Sequence, residues 1–437
     1  MQRTVQRRRN LAIGIAAILV CGAVGWFWTR SGSDGASTPA EQASAASQLD
    51  LPMIPWEGGP EHWKQFPRAY AAGWSDPSFF PIVAWYDGIS SNEEVQYDKE
   101  LGINTYIGMP AETPFGLFVD NNVFWIGNKL NATFDESSRN WVGDFLDDEV
   151  DGRFTPAQGR AHLTKIIEDA GADGRFKYAN FTQTVIGDLT TADAEAYINQ
   201  FTDAVSIDMY WYTIPFCDLR PFRGDIYLAP IAAANCRTAS SYGNVMKGLR
   251  IRDAKDDVLQ ALWQFIENVN GGPGGEPFIR NIEPGEVKGA VMSSVINEAR
   301  GLVYFNQSLS GPCQGGNMFR LSQVQSEFCG MDQIQAVKQV NSQVKELAPI
   351  INTQSYEYSF GSGLSTMLKT HEGFAYIFAM VDGRSAPGER KFQLPPGING
   401  TQLEVLFENR TIQVGAAGLF TDSFDKEYSY HIYKVAK

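Results

Sequence analysis

The sequence predicts an α/β fold: a (β/α)8 TIM barrel followed by a small C-terminal antiparallel β-sandwich and preceded by an N-terminal membrane segment. Short apolar segments alternate with helical stretches from about residue 78 to residue 306, as strands do in a βα repeat. Most of these segments are apolar throughout, which is typical of parallel strands covered by helices. No glycine-rich phosphate-binding turn follows the first segment, where residues 86–89 are Tyr-Asp-Gly-Ile. This favours the barrel over an open doubly wound sheet.

Eight strands are predicted, and helix signals separate them. Ser91, with Glu94 three residues later, forms a capping-box pattern after the first strand. Thr155 followed by Pro156 is a good helix start after the fourth strand. A predicted helix over residues 284–300 connects the last two strands. In chain order, the predicted strands are residues 79–86, 104–109, 123–127, 145–149, 178–182, 205–212, 261–267 and 301–306.

The pattern changes after a predicted helix over residues 333–347. We expect the barrel to span residues 51–350 and a β-sandwich to span residues 351–437. The simplest role of that sandwich is to pack against the barrel. Its strand-like segments, which turn clusters of Asp, Gly and Pro separate, are residues 374–380, 403–407 and 428–433.

The N-terminus has the pattern of a targeting element. Several arginines, the last of them Arg9, precede an uncharged apolar run of 18 residues, 11–28. The positive-inside rule places the arginines in the cytoplasm and the rest of the chain outside it. We expect residues 1–28 to be an uncleaved transmembrane anchor, a cleaved signal or, with Cys21, a lipidation site, and residues 29–50 to be a flexible linker. The protein would then be membrane-anchored with its catalytic domain outside the cytoplasm, or secreted.

The remaining cysteines agree with export. Cys217 lies close to Cys236 in sequence, and Cys313 lies close to Cys329. The sequence predicts that each close pair forms a disulfide bond, which is common in exported proteins. Buried free thiols are the alternative.

The composition limits the possible partners. A formal net charge of −14 argues against a nucleic-acid-binding surface, which needs clustered Lys and Arg. With only four histidines, the chain offers no HExxH motif and no plausible Ser-His-Asp set. The aromatic share of 12% suits a cleft in which sugars stack on ring faces. These features favour a neutral polymer as the ligand, and no obligate protein partner is evident.

Two predicted strands end in a glutamate, the fourth at Glu149 and the seventh at Glu267. Because the carboxyl ends of barrel strands meet at one face, we expect both side chains to face one cleft. Strand alternation places Phe145 and Asp147 on the same side of the fourth strand as Glu149. Two facing carboxyl groups can cleave a glycosidic bond. An alternative is a Ca²⁺ site formed by the neighbouring aspartates, namely Asp147, Asp148 and Asp151.

At these residues the chain resembles the retaining (β/α)8 glycoside hydrolases of clan A, and among them bacterial hydrolase-like proteins of undefined substrate. In that family the acid/base glutamate ends strand four and the nucleophile ends strand seven, which implies these roles for Glu149 and Glu267. A family tyrosine on strand six corresponds to Tyr210 or Tyr212. The family usually has Asn before the acid/base, whereas this chain has Asp148.

The resemblance implies a glycoside hydrolase that cleaves an extracytoplasmic polysaccharide or glycan by a retaining two-glutamate mechanism, without a cofactor or a metal. Two other functions stay open: a non-catalytic cell-surface carbohydrate-binding barrel and an anchored scaffold protein. The candidate substrate-binding residues are Asp148, Tyr210, Tyr212, Trp85, Trp211, Trp263 and Asn306.

Overall fold

The computed structural model describes residues 49–256, 258–272 and 277–437. The predicted membrane segment, residues 1–28, and residues 29–48 of the predicted linker lie outside the described residues. Within the described part of the chain, no helix combines the length and the apolar character that a membrane crossing requires.

Among the described residues, eight parallel strands close into a barrel in which each strand pairs with the next, and the last pairs with the first. All eight strands lie where the sequence predicts them, and their sequential parallel pairing is the pattern that βα repeats produce. The strands are β1 (Ile82–Trp85), β2 (Thr105–Ile107), β3 (Phe124–Ile126), β4 (Trp141–Asp148), β5 (Phe176–Phe181), β6 (Ala204–Ile207), β7 (Ala261–Glu267) and β8 (Gly301–Phe305).

Two strands differ in length from the prediction. β4 is longer and begins at Trp141. β6 is shorter and ends at Ile207, because the backbone turns at Tyr210, whose carbonyl accepts a hydrogen bond from the N–H of Thr213. Tyr210 and Tyr212 therefore lie in the loop that follows β6 and not within the strand.

The predicted helix starts are confirmed. The side chain of Ser91 accepts a hydrogen bond from the N–H of Glu94, and Thr155 and Gln158 form a capping box. The helices are α1 (Pro60–Trp63), α2 (Pro67–Ala71), α3 (Asn92–Glu100), α4 (Gly116–Asn121), α5 (Val150–Arg153), α6 (Pro156–Ala170), α7 (Thr191–Phe201), α8 (Ala239–Asp253), α9 (Pro284–Ile296), α10 (Met318–Val324) and α11 (Met331–Ile351).

Aromatic side chains fill the interior of the barrel. The rings of Trp263 and Tyr178 lie 5.0 Å apart between centroids, and those of Phe145 and Tyr178 lie 5.9 Å apart. Nearer the carboxyl face, Phe265 and Trp85 meet edge to face at 5.1 Å. Trp263 and Phe265 thus both point inward, as the alternation along β7 predicts.

A β-bulge in β4 changes which acidic side chain faces the interior. Between Phe145 and Asp148 the register with β5 shifts, because a bulge inserts one residue that lacks a partner. Asp147 points outward, where its carboxylate contacts Arg153 at 2.6 Å and His162 at 2.5 Å. The predicted alternation, with Phe145 and Asp147 on one side of the strand, is wrong for this reason.

The predicted C-terminal antiparallel structure is present as two sheets. Phe392 and Phe420 of the smaller sheet pack against Tyr433 of the larger one, at centroid distances of 5.5 and 5.3 Å. On its other face, the larger sheet contributes Met367 and Phe378 to the barrel core. The larger sheet contains β9 (Ser355–Tyr356), β10 (Leu364–His371), β11 (Phe374–Val381), β13 (Gln402–Val405), β14 (Arg410–Gln413) and β16 (Tyr430–Ala436), and the smaller contains β12 (Gly388–Gln393) and β15 (Leu419–Phe424).

Both predicted disulfide bonds are confirmed. Cys217 bonds to Cys236 in the long connection between β6 and α8. Cys313 bonds to Cys329 in the region between β8 and α11. Each bond closes a loop on the side of the barrel where the strands end.

Candidate active site at the carboxyl face of the barrel

Glu149 lies at the junction where β4 ends and α5 begins. Its backbone is left-handed, with φ 49° and ψ 35°, a conformation that costs a residue other than glycine about 1–3 kcal/mol. Its N–H donates to the carbonyl of Asn180 at 2.9 Å, which ties the junction to β5. This turn leaves the side chain of Glu149 half-buried at the mouth of the barrel.

Asp148 begins a chain of hydrogen bonds across the top of the barrel. The Asn180 amide donates to Asp148 at 2.9 Å, and the hydroxyl of Ser206 donates to Asn180 at 2.7 Å. Ser206 lies 2.6 Å from the hydroxyl of Tyr178. Burial raises the pKa of Asp148 to about 6; the hydrogen bond from Asn180 opposes this effect and the charge of Glu149 adds to it. Asp148 is therefore held in a fixed place beside Glu149.

Asp208 follows β6 and adds a third carboxyl group to this cluster. Its Oδ1 atom has no hydrogen-bond partner among the described residues. Burial, followed by the charges of Glu149 and Asp148, raises the pKa of Asp208 well above its ordinary value. Asp148, Glu149 and Asp208 therefore interact electrostatically at the ends of β4 and β6.

Glu267 ends β7 and has no exposed surface. The hydroxyl of Tyr242, on α8, donates to its Oε2 atom at 2.6 Å. Oε1 receives no hydrogen bond from the described residues. Burial raises the pKa of Glu267 to about 8, although the hydrogen bond from the hydroxyl of Tyr242 favours the ionised form.

Tyr210 connects the two groups of carboxyls. Its ring packs under the backbone of Gly271, where an added Cβ would lie 2.5 Å from the ring. Burial raises the pKa of Tyr210 well above its ordinary value. Neighbouring carboxylates raise it further, and they are, in order of effect, Asp208, Asp148, Glu267 and Glu149. The charges of both strand-terminal glutamates therefore act on this one buried phenol.

Trp85 is the predicted tryptophan that keeps part of its surface open. It ends β1 and meets the rings of Phe145 and Phe265 edge to face, at 5.2 and 5.1 Å. The next residue, Tyr86, is 54% exposed. These two aromatic side chains provide an accessible apolar surface at the end of β1.

The other predicted binding residues are buried. Trp211 and Trp263 have no exposed surface. Tyr212 is also buried, and its hydroxyl donates to Glu427 at 2.7 Å. Asn306 is buried as well, and its side-chain amide forms hydrogen bonds with neighbouring loops through both its oxygen and its nitrogen. Trp211, Tyr212 and Asn306 thus lie buried in the loops at the mouth, whereas Trp263 lies inside the barrel near the start of β7 and packs on Phe176.

The aspartates considered as Ca²⁺ ligands point in different directions. Asp147 faces the helical layer, as described above. Asp151 accepts hydrogen bonds from the backbone N–H of Thr182, at 3.0 Å, and from the hydroxyl of Thr184. In the part of the chain that the structure describes, no three His, Cys, Asp or Glu side chains are grouped so that they could hold a metal ion.

The sequence analysis missed three residues of this site, namely Asp208, Asn180 and Tyr242. For Asp208 a signal existed, since it follows an apolar strand as Glu149 does. It was overlooked because the predicted strand continued to residue 212. For Tyr242 there was no local signal, because its contact with Glu267 joins residues 25 apart through the packing of α8 on β7.

No protein-family model and no curated protein matches the sequence. Solved structures that resemble the chain include an alpha-amylase from Geobacillus thermoleovorans, with 10% identity, a TM-score of 0.39, and coverage of 83% of this chain and 99% of that one. An alpha-amylase from H.orenii has 9% identity, a TM-score of 0.46, and coverage of 82% and 99%. A GH30 endoxylanase from Clostridium papyrosolvens has 10% identity, a TM-score of 0.31, and coverage of 90% and 99%.

Proposed function

We propose that the protein is a glycoside hydrolase that cleaves an extracytoplasmic polysaccharide or glycan with retention of configuration. The observation that supports this proposal is the position of the two glutamates in one closed barrel: Glu149 directly follows β4, and Glu267 is the last residue of β7. Catalytic groups of (β/α)8 enzymes lie at that face. Retaining glycosidases use two carboxyl groups that flank the scissile bond.

Glu149 acts first as an acid and then as a base. In the first step it gives a proton to the glycosidic oxygen while Glu267 attacks the anomeric carbon, so the bond to the leaving sugar breaks and a glycosyl ester forms on Glu267. In the second step Glu149 takes a proton from water, whose oxygen attacks the anomeric carbon and releases Glu267 as a carboxylate.

Glu267 must be ionised to attack. Burial raises its pKa to about 8 in the free protein, while the hydrogen bond from the hydroxyl of Tyr242 stabilises the anion. The attacking atom is Oε1, because the hydroxyl of Tyr242 occupies Oε2. The reactive population is therefore the fraction of molecules in which Glu267 has lost its proton.

A neutral glycan outside the cytoplasm fits the rest of the molecule. Trp85 and Tyr86 supply an aromatic surface on which a sugar ring can stack. The net charge of −14 disfavours anionic polymers. The two disulfide bonds fit an oxidising compartment. We propose that residues 1–28 anchor the protein to the membrane or direct it across.

The direct test is a hydrolysis screen of the full-length protein on neutral polysaccharides and glycans, together with the variants Glu149→Gln and Glu267→Gln. Each variant should lose activity by about 10²–10⁴-fold. Glu100→Gln is the matched control, since that carboxylate is exposed and pairs with Lys338 on the outer surface. Full activity in both site variants would reject the assignment.

The complete burial of Glu267 favours one second candidate, a non-catalytic carbohydrate-binding barrel. A carboxylic acid that stays protonated donates a hydrogen bond to a sugar but does not attack it. Such a protein would bind glycan without hydrolysing it, and Glu267→Gln would bind equally well. Calorimetric titration of both proteins, beside the hydrolysis screen, separates the two functions.

A further inference from the structure

The turn between β15 and β16 reaches from the C-terminal sheets to the helical layer of the barrel. Its residue Glu427 accepts a hydrogen bond from the hydroxyl of Tyr212 at 2.7 Å, and the backbone N–H of Ala239 donates to it at 2.9 Å. The next residue, Tyr428, packs on α9 at Gly285 and Gly289, where an added Cβ would lie 2.5 Å from its side chain. The two glycines therefore permit the close approach that seats this turn.

Both partners of Glu427 lead to Tyr242. Ala239 is the first residue of α8, and Tyr242 follows it within the first turn. Tyr212 stacks on the ring of Tyr242 with 5.7 Å between centroids, and its N–H donates to the hydroxyl of Tyr242 at 3.4 Å. Glu427 thus contacts both the start of α8, the helix that carries Tyr242, and Tyr212, whose ring lies against the ring of Tyr242.

Tyr242 in turn holds Glu267 through the hydrogen bond of 2.6 Å to Oε2. The other titratable groups that act on Glu267 are Tyr210 and Glu286. The titratable groups that act on Glu427 are Tyr212, Glu286 and Arg280. Glu286 and Arg280 form an ion pair with each other at 2.7 Å.

We propose that Glu427 is a positioning residue of the active site: by holding Tyr212 and the start of α8 it fixes Tyr242 and, through Tyr242, the carboxylate of Glu267. The proposal rests on the proposed function of Glu267 as the nucleophile. It assigns the C-terminal sheets an indirect part in catalysis, because they supply the residue that completes the support of that carboxylate. Burial raises the pKa of Glu427 to about 7, and the hydrogen bonds from Tyr212 and Ala239 lower it, as expected for a carboxylate that accepts both.

The test compares Glu427→Ala and Tyr212→Phe, each of which breaks the link, with Glu427→Gln. The amide oxygen of that glutamine can accept from the N–H of Ala239 while its NH2 group donates to the hydroxyl of Tyr212. Tyr430→Phe is the control, since it removes another hydrogen bond between the C-terminal sheets and the barrel, the one to Gln343 at 2.5 Å. For each full-length protein, kcat, KM and the pKa of Glu267 are measured. The pKa comes from NMR titration of glutamate carboxyl carbons, and the spectrum of Glu267→Gln identifies the signal.

In Glu427→Ala and Tyr212→Phe we expect kcat to fall by about tenfold or more, and KM to change by less than about twofold. The pKa of Glu267 should rise in both, because the hydrogen bond from Tyr242 weakens. Glu427→Gln and Tyr430→Phe should behave as wild type. An unshifted Glu267 signal in both Glu427→Ala and Tyr212→Phe would overturn the proposal. The NMR titration needs no turnover. If the wild-type protein fails to hydrolyse glycans, the proposed function is rejected, but the effect of Glu427 on the pKa of Glu267 can still be measured.

Discussion

At the scale of single residues, the site depends on how burial and hydrogen bonds distribute protons among its carboxyl groups. Burial and the charges of Glu149 and Asp148 raise the pKa of Asp208 well above its ordinary value. For Glu267, burial raises the pKa to about 8, and the hydrogen bond from the hydroxyl of Tyr242 lowers it. Separate environments of this kind let one site hold both an acid and a nucleophile.

The pH dependence of turnover follows from Glu267. In the proposed mechanism Glu267 attacks only as an anion, and its pKa in the free protein is about 8. The value of kcat/KM should therefore rise with pH through an ionisation near that value. A pH–rate profile from about pH 5 to pH 10 checks this. A profile that stays flat across the neutral and mildly alkaline range would contradict it.

Tyr242→Phe should shift that ionisation upward. Removal of the hydroxyl takes away the hydrogen bond that stabilises the ionised form of Glu267. The acid limb of the kcat/KM profile should therefore move to higher pH, with a loss of about tenfold or more at neutral pH. The control is Tyr97→Phe, because the hydroxyl of Tyr97 bonds to Ser322 in the outer helices at 2.8 Å. An identical profile for Tyr242→Phe and Tyr97→Phe would show that Tyr242 has no effect on the nucleophile.

Stability should depend on pH through the same residue. Burial raises the pKa of Glu267 from 4.5 to about 8, so the folded state binds more protons than the unfolded state between these values. The free energy of unfolding therefore falls as pH rises through that window. Glu267→Gln has no proton to lose, and from pH 4 to pH 9 it should gain on the order of 5 kcal/mol relative to wild type. Denaturant unfolding at both pH values measures this, and parallel pH dependence in the two proteins would speak against it.

At the scale of elements, the strand ends decide which side chains enter the site. Glu149 and Glu267 were predictable because each ends an apolar strand of a βα repeat. The orientation of Asp148 was not predictable, because the β-bulge in β4 reverses the alternation of side chains. No feature of the composition marks the position of that bulge. Asp208 was hidden because β6 ends five residues earlier than the prediction, at Ile207 instead of residue 212.

The disulfide bond between Cys217 and Cys236 constrains the connection between β6 and α8, which carries Tyr212. Replacement of both cysteines by serine should lower the free energy of unfolding by about 2–4 kcal/mol, because the unfolded chain gains freedom. It should also lower kcat, since α8 begins three residues after Cys236. Thermal melts and kinetics measure both effects. The matched double variant at Cys313 and Cys329 should lose similar stability, and an equal loss of kcat there would show that the effect is not specific to this connection.

At the scale of the whole molecule, the C-terminal sheets pack on the barrel and also reach its site. The larger sheet adds Met367 and Phe378 to the barrel core, which agrees with the packing role that the sequence predicts. The link from the C-terminal sheets to Glu267 through Glu427 could not be predicted. Glu427 contacts Tyr212 and Ala239, which lie 215 and 188 positions before it in the sequence. Such contacts depend on tertiary packing and leave no local pattern in the sequence.

The charge of the whole protein should select among substrates. With a formal net charge of −14, the protein should repel anionic polysaccharides at low ionic strength, and salt should weaken this repulsion over a Debye length of about 10 Å at 0.1 M. For a neutral glycan, kcat/KM should vary little with salt. For a carboxylated analogue of the same backbone it should be lower and should increase with salt. Measurement of both at two ionic strengths checks this, and equal salt dependence would contradict it.

The most direct measurement is mass-spectrometric peptide mapping of the wild-type protein, quenched during turnover of a substrate that has a good leaving group and a slow deglycosylation step. The account predicts one glycosyl unit on the peptide that carries Glu267, together with products of retained anomeric configuration. Attachment to the peptide that carries Asp208, or inverted products without any attachment, would contradict it.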